Sequence, residues 1–281
     1  MPPQYAPTMT SSSNPYASPQ GGFHLQQLAA PGMVGHQIVE VSPIVNHAIE
    51  IWKQNLGLLL GMTLLPMVIA LPFVALLFVA ILATAPLQEP VVTIGVMILA
   101  YLGMIGMQTY LGIGQAIMCV KLSRGQPVTI GEMFSGGDVF LPVLGWMLIT
   151  TPIMIIAALP LYVPLVILLL MFWPSYHLII DRKCGVMDSF GLARRITEGN
   201  KMTTFVLVLV SYGFALLGEL ACFVGLFFAI PLISLVWSTA YLMMSGQLPI
   251  PPRPQPYLPP QPYPPQPYPQ PPQGYLPPPQ K

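Results

Sequence analysis

Six blocks of apolar residues, each about twenty residues long, alternate with short connections, and the ten Lys and Arg residues fall in only some of those connections. Lys53 precedes the first block, and Lys121 and Arg124 follow the second. Arg182, Lys183, Arg194, Arg195 and Lys201 sit between the fourth and fifth, and Arg253 and Lys281 follow the sixth. The connections after blocks one, three and five hold no basic residue. Basic residues accumulate on the cytoplasmic side of membrane-spanning segments. The pattern therefore predicts an all-α polytopic membrane protein of a bacterial cytoplasmic (inner) membrane, with six transmembrane helices and both termini in the cytoplasm.

Composition agrees. The chain has ten basic and nine acidic residues among 281, and 54% of its residues are apolar. A soluble domain carries roughly 25% charged residues, so lipid is expected to cover much of this surface. A net charge of +1 offers no basic face for phosphates and argues against a nucleic-acid partner. Cys119 and Cys184 fall near the cytoplasmic side and Cys222 near the outer side, and no disulfide is expected. The polar, Pro/Ser/Gln-rich start lacks the pattern of a cleaved signal peptide, so the first block reads as an uncleaved anchor.

Three regions follow. Residues 1–38 read as a disordered Pro/Ser/Gln-rich tail. Residues 39–246 form the membrane domain. Residues 247–281 are a disordered Pro/Gln/Tyr tail whose seventeen prolines favour polyproline II segments. The spans are expected at about 56–82, 91–120, 139–158, 163–180, 202–220 and 224–244, at 1.5 Å rise per residue across a ~30 Å core. Pro160 and Pro164 break the third from the fourth. Gly218, Glu219 and Gly225 mark the turn between the last two.

Three short amphipathic stretches precede the odd-numbered spans, all on the basic side. Ser42 caps the first and Pro43 opens it; Ile44, Val45, Ala48, Ile49 and Trp52 form its apolar face. The second begins with a capping box, Thr129 with Glu132 three residues on. The third runs from Val186 to Glu198. All three are expected to lie in the interface plane, apolar face down on anionic headgroups. Ala48-x-x-Ile51-x-x-x-Asn55 and Ala193-x-x-Ile196-x-x-x-Asn200 share one spacing. The domain thus reads as three copies of one unit, an interfacial helix followed by a transmembrane hairpin, with the middle copy degenerate.

From the fourth span onward the chain carries Pro174, Asp181, Gly185, Asp188-Ser189-Phe190, Gly199-Asn200, Gly218, Gly225-Leu226-Phe227-Phe228, Pro231 and Tyr241. This pattern resembles the uncharacterised YciC-like family of bacterial six-helix membrane proteins. It is also similar to the membrane domain attached to some glycerophosphodiester phosphodiesterases. The resemblance implies a topology and offers no catalytic residues. It implies that Asp181 and Gly185 end a span at the interface, and that Gly199-Asn200 turns an interfacial helix into the next span. The His, Glu and Asp ligand block of the phosphodiesterase domain has no counterpart here.

Ionisable groups in a bilayer mark transport or catalysis, and few are present. His177, a turn from Asp181, is either a proton-relay group or an interfacial imidazole. Glu219 is either an ion site or a solvated turn residue. Gln108 and Gln115 in the second span either line a solute path or bond across a helix contact, with Gly95, Gly103, Gly106 and Gly114 allowing a neighbour close. Gly57-x-x-x-Gly61 matches a helix-pairing pattern, hence a possible homo-oligomer. Pro66, Pro72 and Pro231 interrupt spans, as in transporters with broken helices. Arg253-x-x-Pro256-x-x-Pro259 fits the spacing of a polyproline-groove ligand. No catalytic, cofactor or metal constellation is visible, so no enzyme and no cofactor are expected. The sequence points to a non-enzymatic membrane scaffold or adaptor recruiting protein partners through its tails. The alternative is a small-solute transporter or permease component with a polar path along the second span.

Overall fold

The computed structural model describes residues 34–84, 90–158, 163–221 and 223–250. The expectations for residues 1–33, 251–281, Glu89, Pro160 and Cys222 lie outside the described residues, whereas residues 34–38, expected in the disordered tail, are described and bonded to the end of α8 and to Asn200. In chain order the elements are α1 (Val41–Gln54), α2 (Leu56–Thr84), α3 (Pro90–Ser123), a short 3-10 helix (Ile130–Phe134), α4 (Gly137–Ala158), α5 (Val163–Ile180), α6 (Val186–Thr197), α7 (Lys201–Leu220) and α8 (Leu226–Met244). Among the described residues the regular structure is all helical. Six helices, α2, α3, α4, α5, α7 and α8, are long and apolar enough to cross a membrane, which is compatible with a multi-pass membrane protein. Their outer faces expose large apolar side chains, among them Leu71, Leu76, Leu99, Leu141, Ile156 and Leu220.

The spans match the sequence pattern closely, with two differences. α3 runs on to Ser123, so Lys121 rides in its last turn. The prolines do not interrupt: Pro66 and Pro72 lie inside α2 and Pro231 inside α8, each a continuous helix. Proline frees the carbonyl four residues back, and a neighbouring helix can satisfy it. Here the Gln115 amide donates to the Met62 carbonyl, four residues before Pro66, at 2.6 Å.

The fold repeats three times. The second span of each unit (α3, α5, α8) ends in the same motif. Gly125, Arg182 and Gly246 have positive φ (71°, 57° and 69°). Each donates its N–H to the carbonyl three residues back, at Leu122, Ile179 and Met243. The next residue, Gln126, Lys183 or Gln247, donates five residues back to Lys121, Leu178 or Leu242. This paired bonding closes a helix end in the left-handed conformation.

Each amphipathic element then packs on the second span of the unit before it. The 3-10 helix packs on α3 and α6 on α5. The first unit has no predecessor in the chain, and its α1 packs on α8, the second span of the last unit. The three units thus form a closed ring in contact order. The shared spacing has a shared structure: Asn55 and Asn200 each donate from Nδ2 to the carbonyl four residues back, Ile51 at 2.9 Å and Ile196 at 3.0 Å.

This packing changes the reading of the amphipathic helices. Ile44, Ala48 and Ile51 of α1 are buried, as are Ala193 and Ile196 of α6. α1 lies along α8: Gly35 and Gln37 just before it donate to Ser245 and Met244, and Trp52 Nε1 near its end donates to the Phe228 carbonyl at 3.1 Å. The expected caps differ too. α1 starts at Val41, and Ser42 receives the Asn46 amide rather than capping the helix. Thr129 makes no side-chain cap: the Glu132 N–H goes to the Thr129 carbonyl, and the Glu132 carboxylate accepts from Lys121 on α3. That bond, with the lysine charge behind it, holds the Glu132 carboxyl below its usual range.

Candidate functional site

Three helix ends meet at the basic end of the bundle. Each C-terminus presents carbonyls worth about half a negative charge, so their convergence calls for a cation. Arg124, last residue before the turn of α3, supplies it. Its guanidinium Nη2 donates to Asp181 Oδ2 and to Gln247 Oε1, both at 2.6 Å. Tyr241 donates its hydroxyl to the same Asp181 oxygen at 3.0 Å, and Gln247 Nε2 returns a bond to Tyr241 at 3.1 Å. Lys183 Nζ stands 3.9 Å from Asp181. Side-chain exposure is 24% for Arg124 and 8% for Asp181. Arg124, Asp181 and Gln247 come from the same turn of α3, α5 and α8, so the repeat itself brings the cluster together.

His177 lies beneath it, 8% exposed. Its ring stacks on Tyr241 with centroids 5.5 Å apart and meets Trp173 and Tyr176 edge-on. Trp173 in turn packs edge-on against Trp237 at 4.7 Å. His177 Nδ1 and Trp173 Nε1 are buried without a hydrogen-bond partner. The imidazole therefore packs among aromatic rings in the last turn of α5.

The other sequence candidates are dispersed. Gln115 bridges α3 to α2 through Met62. Gln108, two turns away, is exposed on the outer face of α3. Glu219 is exposed at the end of α7. The structure brings none of Gln108, Gln115, His177 and Glu219 together. Of the glycines on α3, only Gly114 meets a close neighbour: a Cβ there would stand 1.8 Å from the Met133 carbonyl oxygen, while Gly95, Gly103 and Gly106 face open space. The neighbour is the 3-10 helix rather than another span. A larger cavity, about 690 Å³, opens between α4 and α5, lined by Trp146, Met147, Met154, Leu165, Leu169 and Trp173 among others. Its walls are almost wholly apolar.

A second polar set ties the start of the described chain to the rest. Val34–Glu40 forms an extended strap across the α6–α7 turn and the end of α8. Asn200 Oδ1 accepts the Val39 N–H at 3.0 Å, and Asn200 Nδ2 donates to the Gln37 carbonyl at 2.8 Å. Thr203 donates to the Val39 carbonyl at 2.8 Å. Asn200 is fully buried. In the sequence Asn200 reads as a turn residue and as the counterpart of Asn55 in a shared spacing, and that spacing is the signal that it does more. Arg124 was seen as an orientation mark, and nothing in its local sequence pairs it with Gln247.

The chain is similar to three mycobacterial proteins. It is 28% identical over 151 residues to "Uncharacterized protein Rv2560" of Mycobacterium tuberculosis (strain ATCC 25618 / H37Rv), a match covering 54% of this chain and 46% of that protein. It matches "Uncharacterized protein Mb2590" of Mycobacterium bovis and "Uncharacterized protein MT2637" of Mycobacterium tuberculosis (strain CDC 1551 / Oshkosh) to the same extent. The chain thus spans about half the length of the curated relatives it matches. No family model matches it. No solved structure matches it either.

Proposed function

We propose that the chain is a non-enzymatic multi-pass protein of a bacterial cytoplasmic membrane, both termini inside, acting as a scaffold or adaptor. One observation carries the reading: Gln115 in the second span and the Arg124 cluster at the basic end are bonded to backbone or to one another. Gln115 is committed to Met62, and Arg124 to Asp181 and Gln247. A solute path needs polar side chains left free along a wet channel. The cavity between α4 and α5 offers an apolar wall instead. Exposed Lys53, Arg194, Arg195 and Lys201 suit anionic headgroups on the cytoplasmic side. The similarity to mycobacterial proteins fits a bacterial source, and the YciC-like resemblance fits the six-span topology. Gly57, with open space beside it, leaves room for a second copy.

The test is removal of residues 251–281, which leaves Gln247 and its bonds in place, followed by affinity purification from membranes. The scaffold reading expects intact insertion and loss of co-purifying proteins. Unchanged partners, together with solute flux in proteoliposomes that Gln115→Leu abolishes, would favour the transporter alternative.

A further inference from the structure

The groove that holds the strap exists twice, and one copy is open. In the last unit it lies between the end of α6 (Gly199, Asn200) and the end of α8 (Met243, Gly246). The strap fills it. Ile38 sits against Gly199, where a Cβ would come within 3.3 Å, and a Cβ on Gly246 would stand 3.7 Å from the Gln37 side-chain nitrogen. Setting Asn55 on Asn200 and Gly125 on Gly246 puts Gln54 and Asn55 opposite Leu122 and Gly125 in the first unit. There the structure has a cavity of about 470 Å³, lined by His47, Glu50, Gln54, Asn55, Gln126 and Pro127 with their neighbours. The link from α3 to the 3-10 helix skirts its edge at Gln126 and Pro127. At the corresponding junction of the middle unit, an ion pair between Asp138 and Arg182 bridges the two sides.

We propose that the Asn55 groove binds an extended segment of a partner polypeptide, seated as Gln37–Val39 is seated on Asn200. This deepens the scaffold reading by giving it a built site. Asn200 reads a backbone carbonyl and, two residues on, a backbone N–H. Asn55 has the same reach: one amide hydrogen goes to Ile51, and among the described residues its Oδ1 accepts no bond. The ligand must therefore offer a carbonyl and, two residues on, an N–H on one side of an extended chain, the spacing of a peptide backbone. It must also carry a residue other than proline at the donor position. Glu50 in the wall favours a basic or hydrogen-bond-donating side chain opposite it. Ile51 and Leu122 supply the apolar floor.

The experiment uses the full chain in nanodiscs and a fluorescein-labelled peptide of residues 34–40, the one sequence already seen in such a groove. Saturable binding by anisotropy is expected. Asn55→Ala should weaken it about tenfold, the effect of losing one to two hydrogen bonds. Gln126→Trp fills the groove from an exposed position and should abolish binding with the fold intact. The peptide carrying Gln37→Pro and Val39→Pro should not bind. Absence of saturation, or binding unchanged by Gln126→Trp, overturns the proposal. Binding that survives Gln126→Trp but changes with Asn200→Ala means invasion of the strap's own site, and also overturns it. So does loss of peptide binding on adding anionic lipid to the discs at constant ionic strength, since the groove is then a headgroup site. The groove holds no residue of the 251–281 tail, so failure of the peptide assay and failure of the tail-deletion experiment are separate.

Discussion

Asn200 holds the first described residues of the chain to its last helices through one side-chain amide. Its three bonds join Val39, Gln37 and Ile196, and a buried donor or acceptor left unpaired costs about 1–3 kcal/mol. Asn200→Ala is expected to lower the midpoint of thermal unfolding in detergent clearly, whereas Glu219→Gln, at an exposed position, should leave it unchanged. Equal melting curves would remove the strap from the account of stability. A second residue-scale expectation concerns Cys184, outside the spans. Burial raises its thiol pKa, and the negative charge of Asp188 raises it further. Less thiolate is present at a given pH, so in a Cys119→Ser, Cys222→Ser background alkylation should lag a free thiol at pH 8. Removing the nearby charge with Asp188→Asn should speed it. At this scale the sequence was half legible. The Asn55 and Asn200 spacing pointed to a repeated role, but partners more than 160 residues away left no local trace. His177 reads beside Asp181 in the sequence, but the ring that stacks on it, Tyr241, comes from α8, far along the chain.

Among the elements, the joint between α2 and α3 joins a proline to a glutamine. Pro66 leaves the Met62 carbonyl without its helical donor, and Gln115 supplies one. Interhelical bonds of this kind contribute roughly 0.6–2 kcal/mol. Gln115→Leu should destabilise by about that amount. In a Pro66→Ala background the helix regains its own N–H, so the same change should cost less. A double-mutant cycle with no coupling would contradict this pairing. The seat of the 3-10 helix is the companion case. At Gly114 a Cβ would overlap the Met133 carbonyl, so Gly114→Ala should destabilise by about 1–3 kcal/mol or more, while Gly103→Ala, facing open space, should not. The glycine-rich face of α3 was visible in the sequence. Which glycine matters was not, because that depends on what approaches from outside the helix.

For the whole molecule, the repeat makes a ring whose last junction has no covalent link within the domain. Covalent links join α3 to the 3-10 helix and α5 to α6, whereas the strap joins α8 to α1 by hydrogen bonds alone. Deleting residues 1–33 should leave thermal stability intact. Extending the deletion through Glu40 should lower it or block insertion. Equal behaviour of the two deletions would rule out the strap as a closure. Reporters at Glu89, Leu161 and Glu219 are expected outside, and those at Arg124, Lys183 and Lys281 inside; one reversal ends the six-span reading. The sequence by itself determined the number, length and order of the spans, because span length follows from rise per residue and bilayer thickness. It also showed the likeness of the first and third units, since equal spacing builds equal local bonds at Asn55 and Asn200, while the matching helix end of the middle unit at Arg182 came from the structure. Only the tertiary structure decided where the amphipathic faces go. In chemical type, lipid and protein are alike to an apolar stripe, and the choice depends on which helix end is near. It also decided that Arg124, Asp181 and Gln247 share one centre, because three helix ends can converge only after the ring has closed.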